Sequence, residues 1–215
     1  AKKLLAREKI KVIGFTRQVG KNIAQTIDFK EIENNIVRCP DAKMADKMIN
    51  AIMRARKKGD SLGGVVEVVA QGVPAGLGEP VFDRLDADLA KAVMSIPAVK
   101  GVEIGVGFQS ATMTGSQCND VFTMKNKKVV TATNNAGGIL GGISNGMDIV
   151  VKLVVKPTSS INKAQDTVTR QGKKAEIRVE GRHDPCVAPR AVPIAEAMVA
   201  LTLIDHLYRN KFSQL

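Results

Sequence analysis

Apolar and polar positions change their period several times along this chain, and each change marks an element. Residues 10–19 (IKVIGFTRQV) and the β-branched run 63–73 (GGVVEVVAQGV) have the pattern of strands buried in a core. Between them Met44, Met48, Ile52 and Ala55 recur at helical spacing, so the pattern predicts a helix capped by Asp41, reaching about Lys58 and ended by Gly59. A second helix is predicted from Pro80, which suits a first helical turn, with Phe82, Leu85, Leu89 and Val93 on one face until Pro97. Residues 99–108, 127–132, 147–156 and 174–180 are further strand candidates, and a long helix is expected from about Pro189 to Phe212. The opening AKKLLAREK has helical composition with no capping residue ahead of it, and reads as a helix whose beginning has been cut off. The successive helix-then-strand units 41–73 and 80–108 hint at an internal duplication, although they share no residue repeat. The pattern predicts an α+β fold with helices packed on sheets, in a single domain over residues 1–215.

Composition narrows what such a domain can do. With 44% hydrophobic side chains it can bury a sizeable core, but six Phe, one Tyr and no Trp make that core aliphatic and leave few platforms for stacking bases. No uninterrupted apolar run approaches the ~18 residues of a membrane span, and residues 1–9 lack the features of a signal peptide; a cytoplasmic protein with no membrane partner is expected. Cys39, Cys118 and Cys186 are an odd number without a CxxC pair, so three reduced thiols are expected, with neither a disulfide framework nor a metal site. The net charge of +11 is dispersed in short clusters interrupted by acids, which argues against nucleic acid and for a buried site that takes phosphates and carboxylates. The alternative is a basic, noncatalytic module that binds nucleic acid or an acidic partner, for which the charge is the sole support.

Three motifs carry candidate chemistry. In GRHDP, Arg182, His183 and Asp184 stand consecutively between Gly181 and Pro185, which places charged groups on a rigid turn. Asp184 should stay ionised if it pairs with Arg182, whereas an apolar pocket would favour its protonated form. In KPTSSI, Lys156 offers a point charge, Pro157 bends the chain, and Thr158, Ser159 and Ser160 offer hydroxyl donors, which suits a phosphate; the same residues also make an ordinary turn after a strand. The run NNAGGILGGISNG (134–146) admits either close approach of a flat ligand or a packed turn with Asn145-Gly146 at a bend. It matches neither GxxxxGK[ST] nor GxGxxG. Asp60-Ser61 and Glu79-Pro80 read as turns and caps, and His206 as a packing or surface residue of the last helix. No carboxylate pair is marked as a hydrolase site, and Cys186 near His183 lacks an orienting third group.

These motifs, with GDSLGGVVEVVAQGVPAGLGEPVFDRLDADLAKAVMSIPAVKGVEIG (59–105) and AVPIAEAM, resemble the C-terminal portion of the chorismate synthase family over nearly the whole sequence. The resemblance implies antiparallel sheets forming a β-sandwich-like core with helices outside. It also implies the anti 1,4-elimination of phosphate from 5-enolpyruvylshikimate 3-phosphate to give chorismate, a requirement for reduced FMN, a homotetramer and a separate flavin reductase. Carried over residue by residue, Pro97, Ala98, Gly141, Lys156, Pro157, Thr158, Ser159, Ser160 and Arg182 would bind FMN. Arg182 would also face the substrate, and Asp184 would be catalytic beside the flavin. The family's N-terminal histidine signature, arginine-rich segment and Arg-x-Ser stretch have no counterpart in these residues, so a fragment with little activity of its own is expected. Val106 and Cys118 also depart from the family's small or polar residues.

Overall fold

The computed structural model describes residues 1–125 and 127–213. The chain runs through α1 (Lys2–Arg7), β1 (Lys11–Val19), β2 (Asn22–Ile23), α2 (Ala42–Lys57), β3 (Gly64–Gln71), α3 (Leu85–Met94) and β4 (Val99–Ile104). It continues with α4 (Gly115–Cys118), β5 (Phe122–Lys125), β6 (Lys128–Thr131), β7 (Ile139–Leu140), β8 (Ile143–Ser144), β9 (Ile149–Val155), β10 (Gln165–Val168), β11 (Lys174–Ile177) and α5 (Ala188–Ser213). Five strands form a sheet of order β2-β1-β3-β9-β4, and β5–β6, β7–β8 and β10–β11 are separate antiparallel hairpins. The α+β class with antiparallel sheet predicted above is therefore the observed one. The chain divides into two compact units, Ala1–Gly14 with Val66–Val154 and Val192–Leu215, and Phe15–Val65 with Val155–Ala191.

In the first unit the core is aliphatic, as the composition requires. Ile149, Val151 and Leu153 alternate inward along β9, while Leu85, Leu89 and Val93 form the buried stripe of α3. Along α5, Ala195, Val199, Leu203 and Leu207 are buried. By length and composition α5 is apolar enough to cross a membrane, and 44% of its apolar window is buried within the protein. His206 is buried on the same helix, with Nε2 3.0 Å from Asp88 Oδ2, so it packs rather than lying at the surface.

Local backbone chemistry moved several boundaries. The second predicted helix starts at Leu85 rather than Pro80, because the Glu79 amide bonds the Asp83 carbonyl at 2.8 Å and closes a turn over the residues between. Phe82 therefore lies on the tip of that turn, 90% exposed, and not on the helix face expected for it. The strand predicted to reach residue 108 stops at Ile104, where Gly105 takes φ +61 and a 3-10 helix follows at Gly107–Thr112. A side chain at Gly105 would collide with the Asn135 carbonyl, and one at Gly137 with the Gly105 amide, so these backbones meet only because both residues lack Cβ.

In the second unit Phe15 lies against Phe29 with centroids 6.1 Å apart, and Val19 and Met48 are fully buried. Asp41 caps α2 as expected and does more. Its Oδ1 accepts the Met44 amide at 3.0 Å, while Oδ2 accepts those of Gln25 and Thr26 at 2.9 and 3.2 Å. Burial alone would push this carboxyl up, but the three N–H groups outweigh it and hold Asp41 below the usual carboxylate range. Met48 and Ala55 are the buried members of the predicted α2 stripe, with Met44 and Ile52 half-buried. Between the strands expected at 147–156 and 174–180 lies β10, paired with β11 from Gln165↔Ile177 to Val168↔Lys174. Pro193 inside α5 has no N–H for the Pro189 carbonyl four residues back, and Arg38 Nη1 donates to that carbonyl instead at 3.3 Å.

Leu89→Ala should destabilise the fold by roughly 2–5 kcal/mol, whereas Phe82→Ala should stay within about 0.5 kcal/mol of the parent. Chemical denaturation followed by circular dichroism checks the contrast, and equal losses would place Phe82 in the core.

Candidate functional site

Three turns of the second unit converge on one cleft of about 410 Å3, a volume suited to a small molecule. The first turn follows α2. Gly59, at φ +66, donates to the Arg56 carbonyl and Asp60 to the Ala55 carbonyl, each at 3.0 Å. This closes the helix in a glycine-capped motif that aims Asp60 and Ser61 into the cleft. The second turn, 156–162, leaves β9 and contributes Ser160, Ile161 and Asn162; the third contributes Gly181 through Pro185.

Hydrogen bonds tie these turns together. Ser61 Oγ donates to the Thr158 carbonyl at 2.6 Å, Thr158 Oγ1 donates to the Asp184 carbonyl at 2.9 Å, and the Leu62 amide donates to the Pro185 carbonyl at 2.7 Å. The single hydroxyl proton of Thr158 is thus committed to the GRHDP turn, which makes Thr158 a strut of the cleft. Of the other KPTSS residues, Ser160 lines the cleft, while Lys156, Pro157 and Ser159 are exposed and lie outside its lining.

The charge balance of the cleft decides its chemistry. Asp60 is hydrogen-bonded by Lys163 at 2.6 Å, and Asp184 Oδ2 forms an ion pair with Arg190 Nη1 at 2.8 Å. Asp184 therefore pairs with Arg190, not with the adjacent Arg182 for which sequence order suggested a pairing. Both carboxylates are neutralised by cations that do not line the cleft, while Arg56 and Arg182 line it without an ion-pair or hydrogen-bond partner among the described residues. Two uncompensated guanidiniums beside the Ser160 hydroxyl make a site for an anion. They fit the phosphate end of a flavin mononucleotide, and Ile161 and Pro185 offer apolar surface to its less polar part. His183 faces the same cleft, exposed and without a hydrogen bond among the described residues. Cys39, Cys118 and Cys186 are free, with burial pushing the Cys39 and Cys186 thiols up.

The remaining carried-over positions belong to the first unit. Pro97 and Ala98 form the turn between α3 and β4, with Ala98 at φ +71. Gly141, at φ +61, sits at the tip of the β7–β8 hairpin, where a Cβ would meet nothing within 4 Å. The glycine run divides accordingly, since a side chain at Gly138 would strike the Asp148 carbonyl while Gly141 faces open space. Asn145-Gly146 forms the expected bend, with Asn145 Oδ1 accepting the Met147 amide at 3.0 Å. Sequence reasoning passed over Arg56, Asp60 and Asn162 as site residues; the Gly-Asp-Ser after a basic helix end was their available signal.

The profile of the family described as chorismate synthase matches residues 1–208. A chorismate synthase from Methanosarcina mazei is 56% identical over 99% of this chain and 60% of its own length, and one from Roseiflexus castenholzii is 54% identical over 100% and 60%. A solved structure titled "Crystal Structure of Chorismate Synthase" superposes with TM-score 0.80 at 32% identity, covering 97% of this chain and 60% of that one. The chain thus spans about 60% of the length of the curated relatives it matches.

The Lys163 ammonium is the main cause that holds Asp60 below the usual carboxylate range, followed by the Ser61 amide. A depressed carboxyl contributes stability that is present above its unfolded value and lost as pH falls through its folded value. Lys163→Met should therefore raise the pH of acid unfolding and cost no more than about 1 kcal/mol at neutral pH, since both side chains are partly exposed. An acid titration by circular dichroism checks this, and an unmoved midpoint would show that the pair is idle.

Proposed function

This chain belongs to the chorismate synthase family, and from that membership we propose that it takes part in the anti 1,4-elimination of phosphate from 5-enolpyruvylshikimate 3-phosphate to give chorismate, with reduced FMN as cofactor. The observation that carries the reading is the charge balance of the 410 Å3 cleft, in which both carboxylates have their own cations and Arg56 and Arg182 remain for anions. When bound, reduced FMN supplies transient electron density to the substrate and a group that takes the ring proton. The protein residues do the rest. Arg182 and Arg56 hold anionic oxygens and stabilise negative charge as it gathers on the departing phosphate. Ser160 donates a hydrogen bond to the same anion. Asp184 has one carboxylate oxygen occupied by Arg190 and Oδ1 without a partner among the described residues, and we assign it the handling of a proton at Oδ1.

Pro97, Ala98 and Gly141 are proposed to meet the flavin through backbone, and Lys156 to Ser159 to line the approach to its phosphate. Family membership further supports a homotetramer in the cytoplasm, served by a separate flavin reductase.

The test is anaerobic formation of chorismate from 5-enolpyruvylshikimate 3-phosphate with reduced FMN, measured with these residues joined to the family's N-terminal portion, for the parent and two variants. Asp184→Asn should lower kcat by about 100-fold or more while FMN affinity changes by less than roughly threefold. Arg182→Ala should weaken FMN and substrate binding by roughly 10–100-fold, the loss of one charged hydrogen-bond partner. Turnover untouched by Asp184→Asn would remove Asp184 from the chemistry.

A further inference from the structure

The geometry points to Arg190 as a positioning residue that fixes the Asp184 carboxylate within the cleft, an inference that rests on the catalytic role proposed for Asp184. The main chain of the GRHDP turn is already anchored, since Thr158 holds the Asp184 carbonyl and Leu62 the Pro185 carbonyl. Those bonds set where the Asp184 Cα lies but leave χ1 and χ2 of its side chain free. The ion pair of Arg190 Nη1 with Oδ2 at 2.8 Å is the one polar contact of that carboxylate among the described residues. Holding Oδ2 against α5 leaves Oδ1 as the oxygen available to the cleft.

The arginine itself is held at its base. It lies in the first turn of α5, where its amide donates to the Val187 carbonyl at 2.9 Å, and Arg38 binds the preceding Pro189 carbonyl at 3.3 Å. A cation in the first turn opposes the helix dipole, so helix stability gives no reason for arginine at this position. Its side chain is 74% exposed, so core packing gives none either. Arg190 is not in the lining of the cleft. It acts on whatever is bound there through Asp184, while Arg56, Arg182 and His183 face the cleft directly.

The test compares Arg190→Gln, Arg190→Lys, Asp184→Asn and the Arg190→Gln/Asp184→Asn double variant of the full chain. Arg190→Gln should lower kcat by roughly 10-fold, with KM and FMN affinity within about twofold, because a misplaced catalytic group costs turnover rather than binding. Arg190→Lys should recover part of the loss, and Arg190→Gln should add nothing once Asp184 is already Asn. Independently of turnover, three-bond NMR couplings at the Asp184 Cβ protons should report one χ1 rotamer in the parent and averaging in Arg190→Gln. Additive effects of the two substitutions, or a single retained rotamer in Arg190→Gln, would overturn the assignment. If a parent that also carries the family's N-terminal portion forms no chorismate, the functional reading fails, and the couplings alone decide the role of Arg190.

Discussion

Two consecutive carbonyls, those of Asp184 and Pro185, depend on donors from elsewhere in the chain, and the cleft exists because Thr158 and Leu62 supply them. A turn as polar as GRHDP has no regular ladder to satisfy its backbone. Bound to the 59–62 turn on one side and the KPTSSI turn on the other, it becomes the third wall of a defined space. The Ser61 hydroxyl completes the tie by holding the Thr158 carbonyl. Three segments of the chain thus serve one site through main-chain bonds, which leaves Arg182 and His183 without a side-chain partner among the described residues and Asp184 paired with Arg190.

Charge pairing then sets what the site can bind. Each acid of the cleft is matched by a cation placed outside its lining, Lys163 for Asp60 and Arg190 for Asp184. The guanidiniums inside are left without internal partners, and a cleft of this kind favours phosphate and carboxylate ligands. Part of the chain's +11 charge therefore has a local use that needs no nucleic-acid partner to explain it.

Much of this was legible in the sequence, for identifiable reasons. Helix α2, strands β3 and β9 and the long α5 follow from periodicity, and Asp41 and Gly59 mark the ends of α2 because capping is local chemistry. The start of α3 was misjudged because the bond between Glu79 and Asp83 competes with helix formation, and no pattern of apolar residues registers that bond. The short hairpin β7–β8 and the strand β10 escaped because two to four residues carry too little alternation, while β11 lies within the strand expected at 174–180. At the site, KPTSSI and GRHDP stood out by composition, but the partner of Asp184 did not. Adjacency favoured Arg182, whereas the start of a helix turns Arg190 back toward the carboxylate six residues earlier. Arg56 was hidden among the basic residues that end α2, where a favourable helix-dipole position already accounts for it.

The claim on which the rest turns is that Arg56 and Arg182 make this cleft a phosphate-recognising site. The most direct measurement is the affinity of FMN against that of riboflavin, which lacks the phosphate, in the parent and in an Arg56→Ala/Arg182→Ala variant, across a range of salt concentrations. FMN should bind the parent at least about 10-fold more tightly than riboflavin, the preference should weaken as salt rises, and the double variant should bind both ligands alike. An FMN preference that survives loss of both arginines would contradict the account and place the phosphate elsewhere in the protein.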